Sequence, residues 1–137
     1  MQTEKTNMLL NASSEKLANE IVKILLEKNG MDVSLFDVRS SSHLTDFYIN
    51  VTGKSLTQVA ALADYVIEGL SERGRDVSHV EGKRGASWIL VDCTDCILNV
   101  FDREGRAFYD LDKHFPSDSK IDISDLIKEV DNKFKIN

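Results

Sequence analysis

The sequence predicts a single α/β (α+β) domain built on a mixed five-stranded sheet flanked by helices. Apolar residues recur at helical spacing in some segments and in short strand-length runs in others, in the order α-β-β-α-β-β-β-α. That order lacks the steady βαβ alternation of a parallel sheet, so the sheet is expected to be mixed. The most informative stretch is 80–111. Its two apolar runs, Trp88-Ile89-Leu90-Val91-Asp92 and Ile97-Leu98-Asn99-Val100-Phe101, are bracketed by turn-forming residues, the pattern of a β-hairpin.

Residues 1–11 are polar and expected to be a flexible N-terminus, so the folded domain is placed at 12–115. Ser13 or Ser14 offers an N-cap oxygen. Leu17, Ile21, Ile24 and Leu25 follow at helical spacing until Gly30 stops the helix. Residues 32–38 and 46–52 read as strands on either side of the polar turn Ser40-Ser41-Ser42. Ser55-x-x-Gln58 is a capping box, in which the serine oxygen accepts from the Gln58 N–H while the glutamine reaches back. It opens a helix striped with Val59, Leu62, Ala63, Val66 and Leu70, ending near Gly74. Strands are expected over 77–80, 87–93 and 96–101, then a short helix over 106–114. The only proline, Pro116, marks a boundary, because it restricts the residue before it and cannot donate a hydrogen bond. Residues 116–137 are read as a linker, Ser117-Asp118-Ser119, and an amphipathic helix with Ser124 as its cap. That helix carries Ile123, Leu126, Ile127, Val130 and Phe134 on one stripe. A lone helix of this length is marginal in water, so the stripe must bury against the parent body or a second copy of the chain.

A chain of 137 residues can bury about two-thirds of its unfolded surface in one domain. With 42% hydrophobic and 29% charged residues it has the balance of a soluble globular protein. The net charge of −6 argues against a broad grip on nucleic acid, which needs many cations on phosphate. An acidic chain is instead suited to docking on a basic protein. No apolar run approaches the ~20 residues of a membrane span. No basic-then-apolar signal opens the chain, and there are two cysteines, so a reduced cytoplasmic protein that does not engage membranes is expected.

The motifs that could carry chemistry have bland explanations. Gly53-Lys54-Ser55 follows a strand and precedes a helix, but a phosphate loop needs a glycine where Tyr48 stands, so a turn and a helix cap are expected. Cys93-Thr94-Asp95-Cys96 has CxxC spacing without a second ligand pair, and it flanks a strand reversal rather than a helix start. His43, His79 and His114 are dispersed. Arg73-x-Arg75 and Lys83-Arg84 are short basic loops, with solvation as their default and a phosphate contact as the sharper alternative. Trp88, the only tryptophan, shares a strand face with Leu90 and Asp92, which suits a core position or an interface anchor.

Several motifs in series resemble the ribosomal silencing factor family (RsfS, also called Iojap). They are Asp32-Val33-Ser34-Leu35-Phe36-Asp37-Val38-Arg39, Leu44-Thr45-Asp46-Phe47-Tyr48-Ile49, Thr52-Gly53-Lys54-Ser55, Gln58-Val59-x-Ala61-Leu62-Ala63-Asp64 and the hairpin. The resemblance runs over about 32–115, so it says nothing of the last helix. The family shows other residues at both cysteine positions and often a histidine where Asn99 stands. It implies a nucleotidyltransferase-like fold without the catalytic residues, and a homodimer off the ribosome. It also implies a translational repressor that binds the large ribosomal subunit through a ribosomal protein, the fourteenth of that subunit. Bound at the subunit interface, the repressor sterically blocks joining of the small subunit. Lys83 and Arg84 would supply any peripheral contact to ribosomal RNA.

The alternative is a nucleotidyltransferase-like metal-dependent enzyme. Such an enzyme needs a Gly-Ser pair opening a helix and two carboxylates at DxD spacing on the next strand to hold Mg²⁺. Asp110-x-Asp112 has the spacing but falls in the expected last helix of the domain, and Asp92-x-x-Asp95 has the wrong period for one strand face. The reading is therefore a binding protein, with no catalytic residue, metal ligand or cofactor. Its candidate partner-binding residues are Trp88, Glu81, Asp92, Tyr109, Asp110 and Arg106.

Overall fold

A computed structural model of the chain describes residues 6–135. Helix α1 (Ser14–Glu27) begins where the Ser13 hydroxyl accepts from the Lys16 N–H at 3.1 Å. Helix α2 (Leu56–Glu72) opens on the expected capping box. Ser55 Oγ accepts from the Gln58 N–H at 3.1 Å, and Gln58 Oε1 accepts from the Lys54 N–H at 2.5 Å. The Gly53-Lys54-Ser55 segment is thus occupied with starting a helix.

Six strands follow one another as β1 (Met31–Asp37), β2 (Phe47–Gly53), β3 (His79–Glu81), β4 (Trp88–Asp92), β5 (Cys96–Asp102) and β6 (Lys120–Ile121). They form one sheet in the order β3-β4-β5-β2-β1-β6. Strands β2 and β5 are parallel and the other neighbours antiparallel, so the sheet is mixed as expected. The sixth strand corrects the expected count of five. Residues 120 and 121 pair with Phe36 and Leu35 on the outer edge of β1. Two residues are too short to show an alternation, and they lie in a stretch that reads as linker.

Strand alternation gives the sheet two unlike faces. Leu35, Ile49, Val51, Ile89, Val91, Leu98 and Val100 join the buried side chains of α1 and α2 in one apolar core. The opposite face carries Ser34 and Phe36 on β1, then Tyr48, Asn50 and Thr52 on β2. Trp88, Leu90 and Asp92 continue it on β4, and Ile97, Asn99 and Phe101 on β5. Part of this second face lies under helix α3 (Arg103–Tyr109), the 3-10 turn Leu111–His114 beyond it, and Phe115. Phe115 sits 4.6 Å from the Phe36 ring and 4.7 Å from that of Tyr48. The short helix expected over 106–114 is therefore two pieces. Asp110 takes a left-handed conformation (φ 49°), which ends α3 and hands the chain to the tighter 3-10 turn.

The first and last described segments are tied down more than their composition suggests. Residues 1–5 of the expected flexible N-terminus lie outside the described residues. Residues 6–11 are pinned to the end of α2, where the Thr6 N–H donates to Glu72 O at 2.6 Å and the Leu9 N–H to Arg73 O at 2.8 Å. Leu9 is fully buried while its apolar neighbours Met8 and Leu10 are exposed, and three apolar residues in a row carry no period to show which one turns inward. Helix α4 (Ser124–Lys135) lays Val130 against α1, with ion pairs Lys23–Glu129 (3.2 Å) and Lys133–Glu27 (3.1 Å) on either side. Ile123 and Leu126 also pack against the core while Ile127 stays exposed, so the stripe buries within its own chain in part; the side chain of Phe134, its last member, lies outside the described residues.

Candidate docking surface

The uncovered part of the second face lies on β3 and β4, with Ile97 of β5 at its margin. Two glycines shape it. At Gly82 (φ +101°) a Cβ would stand 2.6 Å from Trp88 O, so only glycine lets β3 turn back against the start of β4 there. At Gly105 a Cβ would meet Ser87 O at 2.5 Å, so glycine lets α3 lie against the same strand start. The Asp102 carboxylate caps α3 by accepting from the Gly105 N–H at 2.7 Å. Together these contacts bring Tyr109, at the end of α3, over Trp88.

Trp88 is half-buried, its ring 4.6 Å from that of Tyr109 and 5.3 Å from that of Phe101. Its Nε1–H donates to Asn99 Oδ1 at 3.0 Å. Glu81, Gly82, Trp88 and Leu90 line a shallow hollow of about 230 Å³. Phe108, 80% exposed, stands edge-on to Tyr109 at 5.0 Å and extends the aromatic group into solvent. Farther along, His79 faces Asp92 across the strand pair, and its Nε2 lies 3.3 Å from Glu81 Oε1. Asp92 holds the hairpin turn as well, accepting from the Thr94 N–H at 2.8 Å. The result is an aromatic end and an acidic flank on one open sheet surface, the composition of an anchor with a polar rim.

The six expected partner-binding residues divide. Trp88, Glu81 and Asp92 share this surface, and Tyr109 joins them from α3. Asp110 sits at the end of α3, ion-paired to Lys113 at 3.1 Å. Arg106 does not point outward. It makes a two-pronged pair with Asp112 (Nε to Oδ1 3.1 Å, Nη2 to Oδ2 2.9 Å) and donates to Thr52 Oγ1 at 3.1 Å and Ser34 Oγ at 3.2 Å. The basic loops are also engaged: Arg84 bonds Asp64 on α2 at 2.5 Å, and Arg75 bonds Asp95 at 2.8 Å.

Residues that sequence reasoning did not assign to the site form the support beneath the surface. Asn50 and Asn99, both buried, are paired in register on the parallel strands β2 and β5. Asn99 Nδ2 donates to Asn50 Oδ1 at 3.1 Å, and Asn50 Nδ2 donates to Asp112 Oδ1 at 2.9 Å. The signal was present as one asparagine inside each of two apolar strand runs. Burial works to raise the Asp112 carboxyl. The hydrogen bonds and charge of Arg106, with Asn50 and Lys120, outweigh it and hold the group below its ordinary value. Burial pushes the Cys93 thiol up to about 12 and raises that of Cys96 as well, so both are protonated core side chains at neutral pH. Among the described residues, no three of His, Cys, Asp and Glu gather as a metal site.

The family model described as "Ribosomal silencing factor during starvation" matches residues 11–136. That span continues past Phe115, where the resemblance read from the residues ends, and takes in β6 and α4. The ribosomal silencing factor RsfS of Haemophilus influenzae is 38% identical over 97 residues, spanning 68% of this chain and 95% of that protein. A mouse relative, "Mitochondrial assembly of ribosomal large subunit protein 1", is 25% identical over 68% of this chain and 42% of its own. A crystal structure of a Chromobacterium violaceum protein, 29% identical, superposes with a TM-score of 0.73, covering 76% of this chain and 87% of that one.

Proposed function

The chain belongs to the ribosomal silencing factor family, a family of regulators rather than enzymes, and on that premise we propose that it docks on the large ribosomal subunit through the open face of β3, β4 and α3. The observation that carries this reading is the half-buried Trp88, packed under Tyr109 and flanked by Glu81 and Asp92 on the open part of the second sheet face. A half-sunk tryptophan with a polar rim is what a binding hot spot requires. The acidic flank and the net charge of −6 suit a basic ribosomal protein at the subunit interface, and the family resemblance points to the fourteenth of the large subunit. The name of the mouse relative, which speaks of large-subunit assembly, supports the same side of the ribosome. The carboxylates that an enzymatic reading would use are engaged elsewhere, Asp112 with Arg106 and Asp110 with Lys113.

Silencing then needs no chemistry. A ligand that occupies the joining surface weakens the competitor's apparent affinity by a factor of about 1 + [L]/Kd, and translation is repressed by occupancy alone. The protein acts in the cytoplasm and rests as a homodimer when no subunit is available, its exposed aromatic end exchanging one partner for the other.

The test is a sucrose gradient of separated subunits mixed with excess protein. The fraction that reassociates is expected to fall as protein is added, with the protein travelling in the large-subunit peak. Unchanged reassociation despite that co-migration rules out the steric block, and absence from the peak rules out the docking.

A further inference from the structure

Trp88 has one polar atom, and the group it touches starts a chain of hydrogen bonds with a fixed direction. The indole N–H can only donate, so Asn99 must present its oxygen, which it does at 3.0 Å. With its oxygen used there, Asn99 offers its NH₂ to Asn50 Oδ1 at 3.1 Å. Asn50 in turn has only its NH₂ left, and donates it to Asp112 Oδ1 at 2.9 Å. An ionised carboxylate can only accept, so the chain ends there, with Arg106 clamping both Asp112 oxygens.

Both ends dictate the same polarity. Flipping either amide would set NH₂ against the indole N–H or an amide oxygen against the carboxylate. The amide orientations are therefore fixed by their partners. Both asparagines are buried, Asn50 at 0% and Asn99 at 1% exposure, so a broken link could not be made good by bulk water. The line crosses β4, β5 and β2 and ends on the turn after α3, the element that also carries Tyr109. It therefore ties the tilt of the Trp88 ring to the placement of the segment lying over it.

We infer that Asn50, Asn99 and Asp112 are positioning residues for ribosome docking, a hydrogen-bonded relay that holds Trp88 in its binding pose without touching the partner. The inference rests on the docking surface proposed above. Its own content is the coupling: a change at Asp112 reaches the partner through the Trp88 N–H, beside whatever it transmits to α3 through Arg106.

The chain has a single tryptophan, so its fluorescence reports this one indole. In the full-length protein, Asn50→Leu keeps the site filled while cutting the relay one link away from Trp88, and Asp112→Ala cuts it at its half-exposed end with no buried group removed. Each is expected to shift Trp88 emission and lower its anisotropy. Each is also expected to weaken large-subunit binding about tenfold, mid-range for residues coupled within one network. Measurements are made well below each variant's unfolding temperature, and Asp112→Ala carries the test if Asn50→Leu does not fold.

The deciding step repeats Asp112→Ala in a Trp88→Phe background, which keeps an aromatic ring but has no N–H to orient. There the loss should shrink to what Arg106 and α3 alone transmit. An equal loss in both backgrounds, or full binding by Asp112→Ala with unchanged emission, overturns the relay. Full binding by Trp88→Ala would instead overturn the docking surface itself, and so separates the two failures.

Discussion

Trp88 and Asp112 lie at opposite ends of one polar line and make different demands on experiment. Trp88 is half-buried with its ring against those of Tyr109 and Phe101, so its truncation removes packing as well as any partner contact. Trp88→Ala is expected to weaken large-subunit binding by about 2 kcal/mol or more, a hot-spot loss, while circular dichroism and a cooperative melt show the fold retained. A protein that no longer melts cooperatively would place the ring in the core instead. Phe108 separates the two effects more cleanly, since at 80% exposure it supports almost nothing in its own chain. Phe108→Ala should leave stability within about 0.5 kcal/mol of the parent, as surface changes usually do, yet reduce subunit affinity in the same titration.

At Asp112 the prediction concerns acid. Its carboxyl is held below the ordinary value in the folded chain, against its burial, by Arg106. A depressed carboxylate contributes stability that is fully present above its unfolded value and is lost as pH falls through its folded one. Unfolding measured from neutral pH down through the carboxylate range should therefore show a loss that Asp112→Asn largely removes. An identical acid limb in parent and variant would mean that the Arg106 pair contributes nothing to folding.

At the scale of elements, the question is what the last segment is for. Strand β6 covers the outer edge of β1, and α4 covers α1, so the tail closes two surfaces that would otherwise stand open. Neither surface belongs to the docking face, which lies at the other side of the sheet on β3 and β4. We propose accordingly that residues 12–115 carry binding and 116–137 act as a buttress. A chain ending before Ser117 should lose at least ~2 kcal/mol of stability, the burial of a valine such as Val130 alone, and still co-sediment with large subunits at low temperature. Loss of binding by a truncated protein that is still folded would assign the tail to the functional surface.

For the molecule as a whole, charge governs the approach. Glu81, Asp92 and Asp110 rim the proposed surface of a chain with net charge −6. Neutralising Asp92 or Asp110 is expected to slow association chiefly at low salt, since steering is screened over about 8–10 Å at 0.1–0.15 M. Dependence on Lys83 and Arg84 in place of the acids would point to ribosomal RNA as the main contact. The residues by themselves determined local features. Ser13 and Ser55 announced their helices, five strands could be read from their runs, and the motifs from Asp32 through the hairpin identified the family. Such signals survive because a cap or an alternation is a relation between residues a few positions apart. Tertiary structure alone decided that Arg106 turns inward to a serine 72 positions away, that Asn50 bonds Asn99 and Asp112 across 49 and 62 positions, and that Leu9 is core. It also made residues 120 and 121 a strand, because only the open edge of β1 gives them a partner. A hydrogen bond or a buried contact between distant positions leaves no period in the sequence, and those distant contacts are what separate the surface of this protein from its support.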